Sequence, residues 1–127
     1  MARVVAFVPD LLFGSKVQAA LEGGGHDVVL TGDPAAVRAS VSRADVLVVD
    51  LASDAHVGCD IIASLAASGD LGPARTLGFY SHVDVETRER AIAAGFDLVV
   101  PRSRMNREGA ELVTALAGRG APGSAGT

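Results

Sequence analysis

Asp50 carries the strongest chemical signal in this sequence, because it ends the apolar run of residues 44–50. Such a run is typical of a strand that is covered on both faces in a parallel sheet. In open α/β sheets, ligands and reacting groups gather just beyond the carboxyl ends of the strands. Asp10, Tyr80 and Arg102 end or follow three other apolar runs. We therefore expect these four side chains to surround one small pocket.

Several kinds of chemistry fit these four residue types. Two carboxylates, Asp10 and Asp50, suit a hard divalent cation such as Mg²⁺, which takes one or two acidic ligands and keeps several waters. A carboxylate is also a nucleophile toward phosphorus, and the cation of Arg102 would stabilise the transferring charge. The structural alternative is an ion pair between Asp50 and Arg102, with Asp10 capping the first helix. The residue types alone leave these alternatives open.

Strand and helix patterns alternate along the whole chain and must position these side chains. Five βα units predict a parallel sheet with right-handed crossovers. We predict a flavodoxin-like, three-layer α/β domain over residues 1–117, with strand order 2-1-3-4-5, and a disordered tail over 118–127. The predicted strands are residues 4–8, 27–30, 44–50, 75–80 and 97–100. The predicted helices begin near Phe13, Pro34, Gly58, Val85 and Arg107, with Asp84 capping the fourth.

Length, charge and cysteine content restrict the class of protein. A chain of 127 residues suits one domain. The net charge of −4 argues against a general nucleic-acid or anionic-membrane surface. The single cysteine, Cys59, cannot form an internal disulfide, so the composition favours a reducing cytoplasm. No run has the length of a signal-peptide core or a membrane span.

Over residues 3–117 the sequence resembles the receiver domains of bacterial response regulators of the chemotaxis type. Asp50 ends the third strand and Gly58 follows at the family's spacing, while residues 81–97 look like the family's fourth helix and its flanks. The resemblance implies a two-component phosphorelay role with Asp50 as the phospho-acceptor. It places Tyr80 and Arg102 at the family's Thr/Ser and Lys positions.

The resemblance also implies a Mg²⁺ site formed by Asp10, Asp50 and the backbone carbonyl of Ala52. However, the sequence departs from the family at this pocket. Pro9 replaces one member of the family's acidic pair, Tyr80 is bulkier than Thr or Ser, and Arg102 is not interchangeable with Lys. Val99 stands at the family's switch aromatic. The pattern resembles a pseudo-receiver, and we expect a permanent pair between Arg102 and Asp50 to replace the switch.

We therefore expect a stand-alone, receiver-like signalling module that acts through protein–protein contacts with a histidine kinase or a downstream effector. It is expected not to be an enzyme, beyond at most slow turnover of an aspartyl phosphate. In receivers the surface of the fourth helix and fifth strand mediates dimerisation, so a homodimer is implied by resemblance; Val85, Ala91, Ile92 and Val99 give it apolar character.

Two other functions stay open. One is a conventional Mg²⁺-dependent phospho-accepting receiver, and the other is a module that binds a nucleotide or flavin at the same edge. The missing phosphate loop and the scarcity of aromatics count against the second. Residues 102–107 contain three arginines. They indicate either a solvated loop before a helix or recognition of an acidic partner or a phosphate.

Overall fold

Residues 2–81 and 85–120 are described by a computed structural model, and within these ranges five parallel strands form one sheet. The strand order is β2-β1-β3-β4-β5, which confirms the predicted flavodoxin-like arrangement. The apolar runs become strands because β-branched residues pack well on a pleated surface that is buried on both faces. The strands are β1 Arg3–Phe7, β2 Asp27–Thr31, β3 Val46–Asp50, β4 Arg75–Tyr80 and β5 Leu98–Pro101.

A helix follows each strand, and several helices begin at an aspartate whose carboxylate accepts hydrogen bonds from the first turn. Asp10 accepts from the N–H of Phe13, and Asp33 accepts from Ala35. Such caps satisfy backbone donors that have no partner inside the helix. The helices are α1 Leu11–Gly23, α2 Pro34–Ser40, α3 Ala55–Ser68, α4 Val85–Ala94 and α5 Arg102–Gly120, with a 3₁₀ turn at Val41–Arg43.

Two helices begin earlier than predicted. Helix α3 begins at Ala55 and not near Gly58, because the Asp54 carboxylate accepts from the N–H groups of His56 and Val57. Helix α5 begins at Arg102 and not at Arg107, since Met105 is buried and gives the first turn an apolar contact with the core.

The boundary at the end of the chain also differs from the prediction. Helix α5 extends to Gly120, so residues 118–120 are helical and do not form part of a tail. Residues 121–127 and the predicted cap Asp84 lie outside the described residues.

The sheet separates two apolar layers. Successive strand side chains point to opposite faces, so in β3 Val46 and Val48 pack toward α1 and α5, while Leu47 and Val49 pack toward α2, α3 and α4. Both layers are filled with aliphatic side chains. This is why the strand sequence is continuously apolar and not alternating.

Candidate functional site at the carboxyl edge of the sheet

The carboxyl ends of the strands meet at the edge predicted from the sequence. In the parallel register Phe7 pairs with Val49, Asp50 with Phe79, and Tyr80 with Pro101. The neighbouring ends of β1 and β3 form the point where the chain reverses its winding direction, and such points form crevices in this class of fold. Asp10, Asp50, Tyr80 and Arg102 all lie at this edge.

Asp50 is buried and held by its own turn. The residue is only 2% exposed to solvent. Oδ1 accepts hydrogen bonds from the backbone N–H of Ala52 at 2.7 Å and of Ser53 at 3.1 Å, and Oδ2 accepts from the Ser53 hydroxyl at 2.6 Å. Hydrogen bonds to a carboxylate are stronger than neutral ones, so the turn after β3 is fixed by the side chain at its start.

Two glycines allow the backbone to close tightly around this turn. A methyl group at Gly58 would lie 2.5 Å from Leu51 Cδ2 and 3.0 Å from Val49 Cγ1. A methyl group at Gly78 would lie 2.8 Å from Leu51 Cδ1. Leu51 therefore occupies the space that the two missing side chains leave, and α3 packs directly against the end of β3. This close approach explains why glycine stands at position 58.

Asp10 lies at the same edge and is exposed. Its Oδ1 accepts from the Phe13 N–H at 3.1 Å, so Asp10 is the N-cap of α1. The preceding Pro9 has no oxygen in its side chain. Among residues 2–81 and 85–120, no group of three or more His, Cys, Asp or Glu side chains is placed to hold a metal ion. The assignment of Asp10, Asp50 and the Ala52 carbonyl as Mg²⁺ ligands stays a prediction.

Tyr80 is buried in the layer between the sheet and helices α2, α3 and α4. Its ring packs in a cluster that includes Ala91 and Phe96. Since neighbouring residues on a strand point to opposite faces, Tyr80 is directed away from the layer that contains Phe79. The ring therefore acts as part of the core at the end of β4.

Arg102 does not pair with Asp50, and this corrects the expected permanent ion pair. Its guanidinium carbon lies over the ring of Phe13, 3.8 Å from the ring centroid. A planar cation over an aromatic face is attracted by the negative charge density of the ring. The carboxylate oxygens of Asp50 accept hydrogen bonds within their own turn, and Arg102 packs against Phe13 of α1 instead.

Ser53 and Phe13 complete the site, and sequence reasoning missed both. The spacing Asp50–Ser53 is a signal that was present, because an aspartate often accepts from backbone groups two and three residues ahead. In the sequence, Phe13 marks only the beginning of the first predicted helix. Nothing in the sequence indicates that its ring would lie under Arg102.

The basic segment at 102–107 divides into two parts. Arg104 and Arg107 each approach the Glu108 carboxylate at 3.5 Å. Arg102, by contrast, has no ion pair among the described residues. The patch is therefore an ordinary helix surface except at Arg102.

Cys59 lies on α3 close to this edge and is buried. Burial raises the pKa of the Cys59 thiol, and the nearby Arg90 cation opposes the shift without cancelling it. A raised pKa keeps the sulfur protonated, so this side chain behaves as a small apolar residue.

No described helix is both long enough and apolar enough to cross a membrane.

Comparison with solved structures identifies the fold. The chain is similar to the receiver domain of response regulator 1452 from Francisella, with a TM-score of 0.81 and 16% identity over 94% of this chain and 98% of that one. It is similar to the signal receiver domain of NarL from Mycobacterium tuberculosis, with a TM-score of 0.78 and 22% identity over 91% and 95%.

A third similar structure is the chemotaxis protein CheY4 from Vibrio cholerae, with a TM-score of 0.78 and 16% identity over 91% of this chain and 98% of that one. The same fold in these proteins confirms the predicted resemblance at the level of architecture, since identities this low establish the fold alone. No family model and no curated protein matches the sequence.

Proposed function

We propose that this chain is a receiver-like signal-transduction module that acts through protein–protein contacts and does not depend on phosphorylation of Asp50. The observation that carries the proposal is the burial and hydrogen bonding of the Asp50 carboxylate. It is buried, and its two oxygens accept hydrogen bonds from Ala52 and Ser53. A nucleophilic carboxylate needs an oxygen that is free to approach phosphorus, and such approach would require this turn to open.

The surroundings of Asp50 support the same proposal. Pro9 offers no ligand, and Asp10 caps α1. Tyr80 is part of the core, and Arg102 is held over Phe13. The residues that resemble a phosphorylation pocket therefore have structural partners of their own. On this proposal Mg²⁺ has no organised ligand set, and no aspartyl phosphate is turned over.

Exposed apolar side chains at the carboxyl side of the sheet support action through contacts. Leu11 and Leu12 begin α1 and are 79% and 82% exposed, and Val85 begins α4 and is 59% exposed. Leu11 and Leu12 are neighbours in the chain, and exposed apolar side chains that lie together are a feature of interaction sites. We propose that this side meets a protein partner, which by resemblance is a histidine kinase or a downstream effector.

The decisive test is incubation of the protein with acetyl phosphate and Mg²⁺, followed by intact mass spectrometry. We expect no gain of a phosphoryl group. The triple variant Pro9→Asp, Tyr80→Thr, Arg102→Lys restores the family's residues at the three altered positions but keeps the hydrogen bonds from Ala52 and Ser53 to Asp50, so it is expected to gain no phosphoryl group either. A gain in the wild type that disappears in Asp50→Asn would instead establish the conventional receiver function.

Self-association is tested separately. Val85 and Ile92 are exposed on α4, at 59% and 50%, whereas the predicted contact residue Ala91 is fully buried. If a homodimer uses α4, sedimentation velocity should show a concentration-dependent dimer that Val85→Ser and Ile92→Ser weaken. Val29→Ser removes an exposed apolar side chain from β2 and serves as the control.

A further inference from the structure

We propose that the cavity between α1 and α5 binds a small organic phosphate of about the size of a nucleoside monophosphate. The cavity has a volume of 630 Å³, which lies within the range of about 300–1,000 Å³ that is typical of small-molecule sites. The side chains of Asp50, Ala52 and Ser53 do not line it. The site is therefore separate from the turn that would hold a phosphorylated aspartate.

The charge of the cavity wall points to an anion. Lys16 of α1 and Arg102 of α5 both line it, and the described lining contains no acidic residue. Neither cation has an ion pair among the described residues, although the chain as a whole carries a net charge of −4. Two cations in one concave site whose described lining contains no carboxylate attract a negative ligand.

The polar groups beside these cations suit a phosphoryl group in particular. Ser81, Ser103 and Asn106 line the same cavity and supply hydroxyl and amide donors. Helix α5 begins at Arg102, and its first residues Arg102 and Ser103 line the cavity, at the end of the helix where the helix dipole favours negative charge. A phosphate has enough acceptor oxygens to meet several of these donors at once.

The apolar part of the wall accounts for the organic part of the ligand. Phe13 and Pro101 line the cavity beside the cations. The Phe13 ring also holds the Arg102 guanidinium at 3.8 Å from its centroid, so the cation is already positioned before a ligand arrives. Positioning in advance reduces the conformational entropy that binding would otherwise cost. The carbon skeleton of a nucleoside would lie along Phe13 and Pro101.

Binding of AMP to the full chain in EDTA tests this proposal by isothermal titration calorimetry. Adenosine, which lacks the phosphate, and inorganic phosphate, which lacks the nucleoside, are the comparison ligands. We expect AMP to bind at least about tenfold more tightly than adenosine, since charge-assisted hydrogen bonds to the phosphate carry much of the affinity. We expect the same margin over inorganic phosphate, which lacks the carbon skeleton that would lie along Phe13 and Pro101. Chelation of Mg²⁺ keeps Asp50 chemistry out of the readout, so failure here leaves the proposed signalling function unaffected.

Substitutions then locate the site. Lys16→Met and Arg102→Gln should each weaken AMP binding about tenfold, while Arg107→Gln on the same helix should leave it unchanged, because Arg107 lies outside the cavity and pairs with Glu108. Lys16 is exposed, so its variant reports on binding even if Arg102→Gln lowers stability.

Amide chemical shifts provide a second readout, with perturbations expected at Ser81, Ser103 and Asn106. Three results would overturn the proposal: no binding of AMP at millimolar concentration, equal binding of adenosine, or equal weakening by Arg107→Gln.

Discussion

The Asp50 side chain stabilises a turn, and this role can be measured apart from any signalling role. Asn at position 50 keeps an acceptor oxygen for the N–H groups of Ala52 and Ser53, and its amide can donate to the Ser53 hydroxyl. Alanine leaves those backbone donors without a partner in a buried place. We expect Asp50→Ala to lower the free energy of unfolding by about 1–3 kcal/mol.

We expect Asp50→Asn to cost distinctly less than Asp50→Ala. Urea denaturation followed by circular dichroism measures both values, with Ser53→Ala as an intermediate that removes only the hydroxyl donor. Equal losses for the two substitutions at position 50 would contradict a role through hydrogen-bond geometry and would assign the stabilisation to the charge.

Cys59 gives a second prediction at the scale of one residue. Because burial raises its pKa, we expect its alkylation by iodoacetamide near neutral pH to be slower in the folded protein than in urea. The folded state holds the thiol proton more tightly than the unfolded state. Stability therefore falls as the pH rises from the pKa of the unfolded thiol, about 8.5, toward the higher pKa of the folded thiol.

The variant Cys59→Ala has no thiol and should lose this part of the pH dependence. Unfolding free energies of the two proteins between neutral and alkaline pH test the sign. A loss of stability that is the same with and without the thiol would show that other groups cause it.

At the scale of elements, the packing of α3 on the end of β3 depends on the absence of a side chain at position 58. The added methyl group of Gly58→Ala would lie within 3.0 Å of both Leu51 and Val49. These side chains are themselves buried and have little room to move. We expect a loss of about 1–3 kcal/mol in the free energy of unfolding.

Gly23→Ala is the matched control, because the added methyl group at Gly23 meets no atom within 4 Å and lies at the end of α1. Its stability should change by less than about 1 kcal/mol. Thermal and urea denaturation compare the two variants. If Gly58→Ala were as stable as Gly23→Ala, the close approach of α3 would not constrain the site.

At the scale of the whole molecule, His26 links the residue before β1 to the middle of α5. Its Nδ1 accepts from the N–H of Ala2 at 3.1 Å, and its Nε2 lies 3.0 Å from the Ala110 carbonyl oxygen. These partners require the tautomer in which Nε2 carries the hydrogen. A buried ring in the turn between α1 and β2 thereby ties the start of β1 to α5.

We expect His26→Ala to lower the free energy of unfolding by about 1–3 kcal/mol, because the buried Ala2 N–H loses its acceptor. His56 is exposed, and among residues 2–81 and 85–120 its ring nitrogens form hydrogen-bond contacts only with the Arg90 side chain. His56→Ala should therefore change stability by no more than about 0.5 kcal/mol. Equal effects of the two substitutions, measured by urea denaturation, would show that the His26 link is not part of the cooperative structure.

The order of the strands and the edge at which the chemistry collects followed from the sequence alone. Apolar runs that alternate with helical patterns leave few ways to wind a chain with right-handed crossovers. The spacing from Asp50 to Gly58 is one of the features on which the predicted resemblance to receiver domains rests. The placement of Asp10, Asp50, Tyr80 and Arg102 at one edge needed no side-chain detail.

The partners of Tyr80 and Arg102 at that edge were decided only by the tertiary structure, whereas the hydrogen bonds of Asp50 are local. Asp50 accepts from Ser53 within its own turn, Tyr80 packs among the helices of one layer, and Arg102 lies over Phe13. Charge type alone suggested a pair between Asp50 and Arg102. The direction of each side chain depends on the pleat of its strand, on where its helix begins and on the space that small residues leave. For Tyr80 and Arg102 that space is set by contacts between elements far apart in sequence.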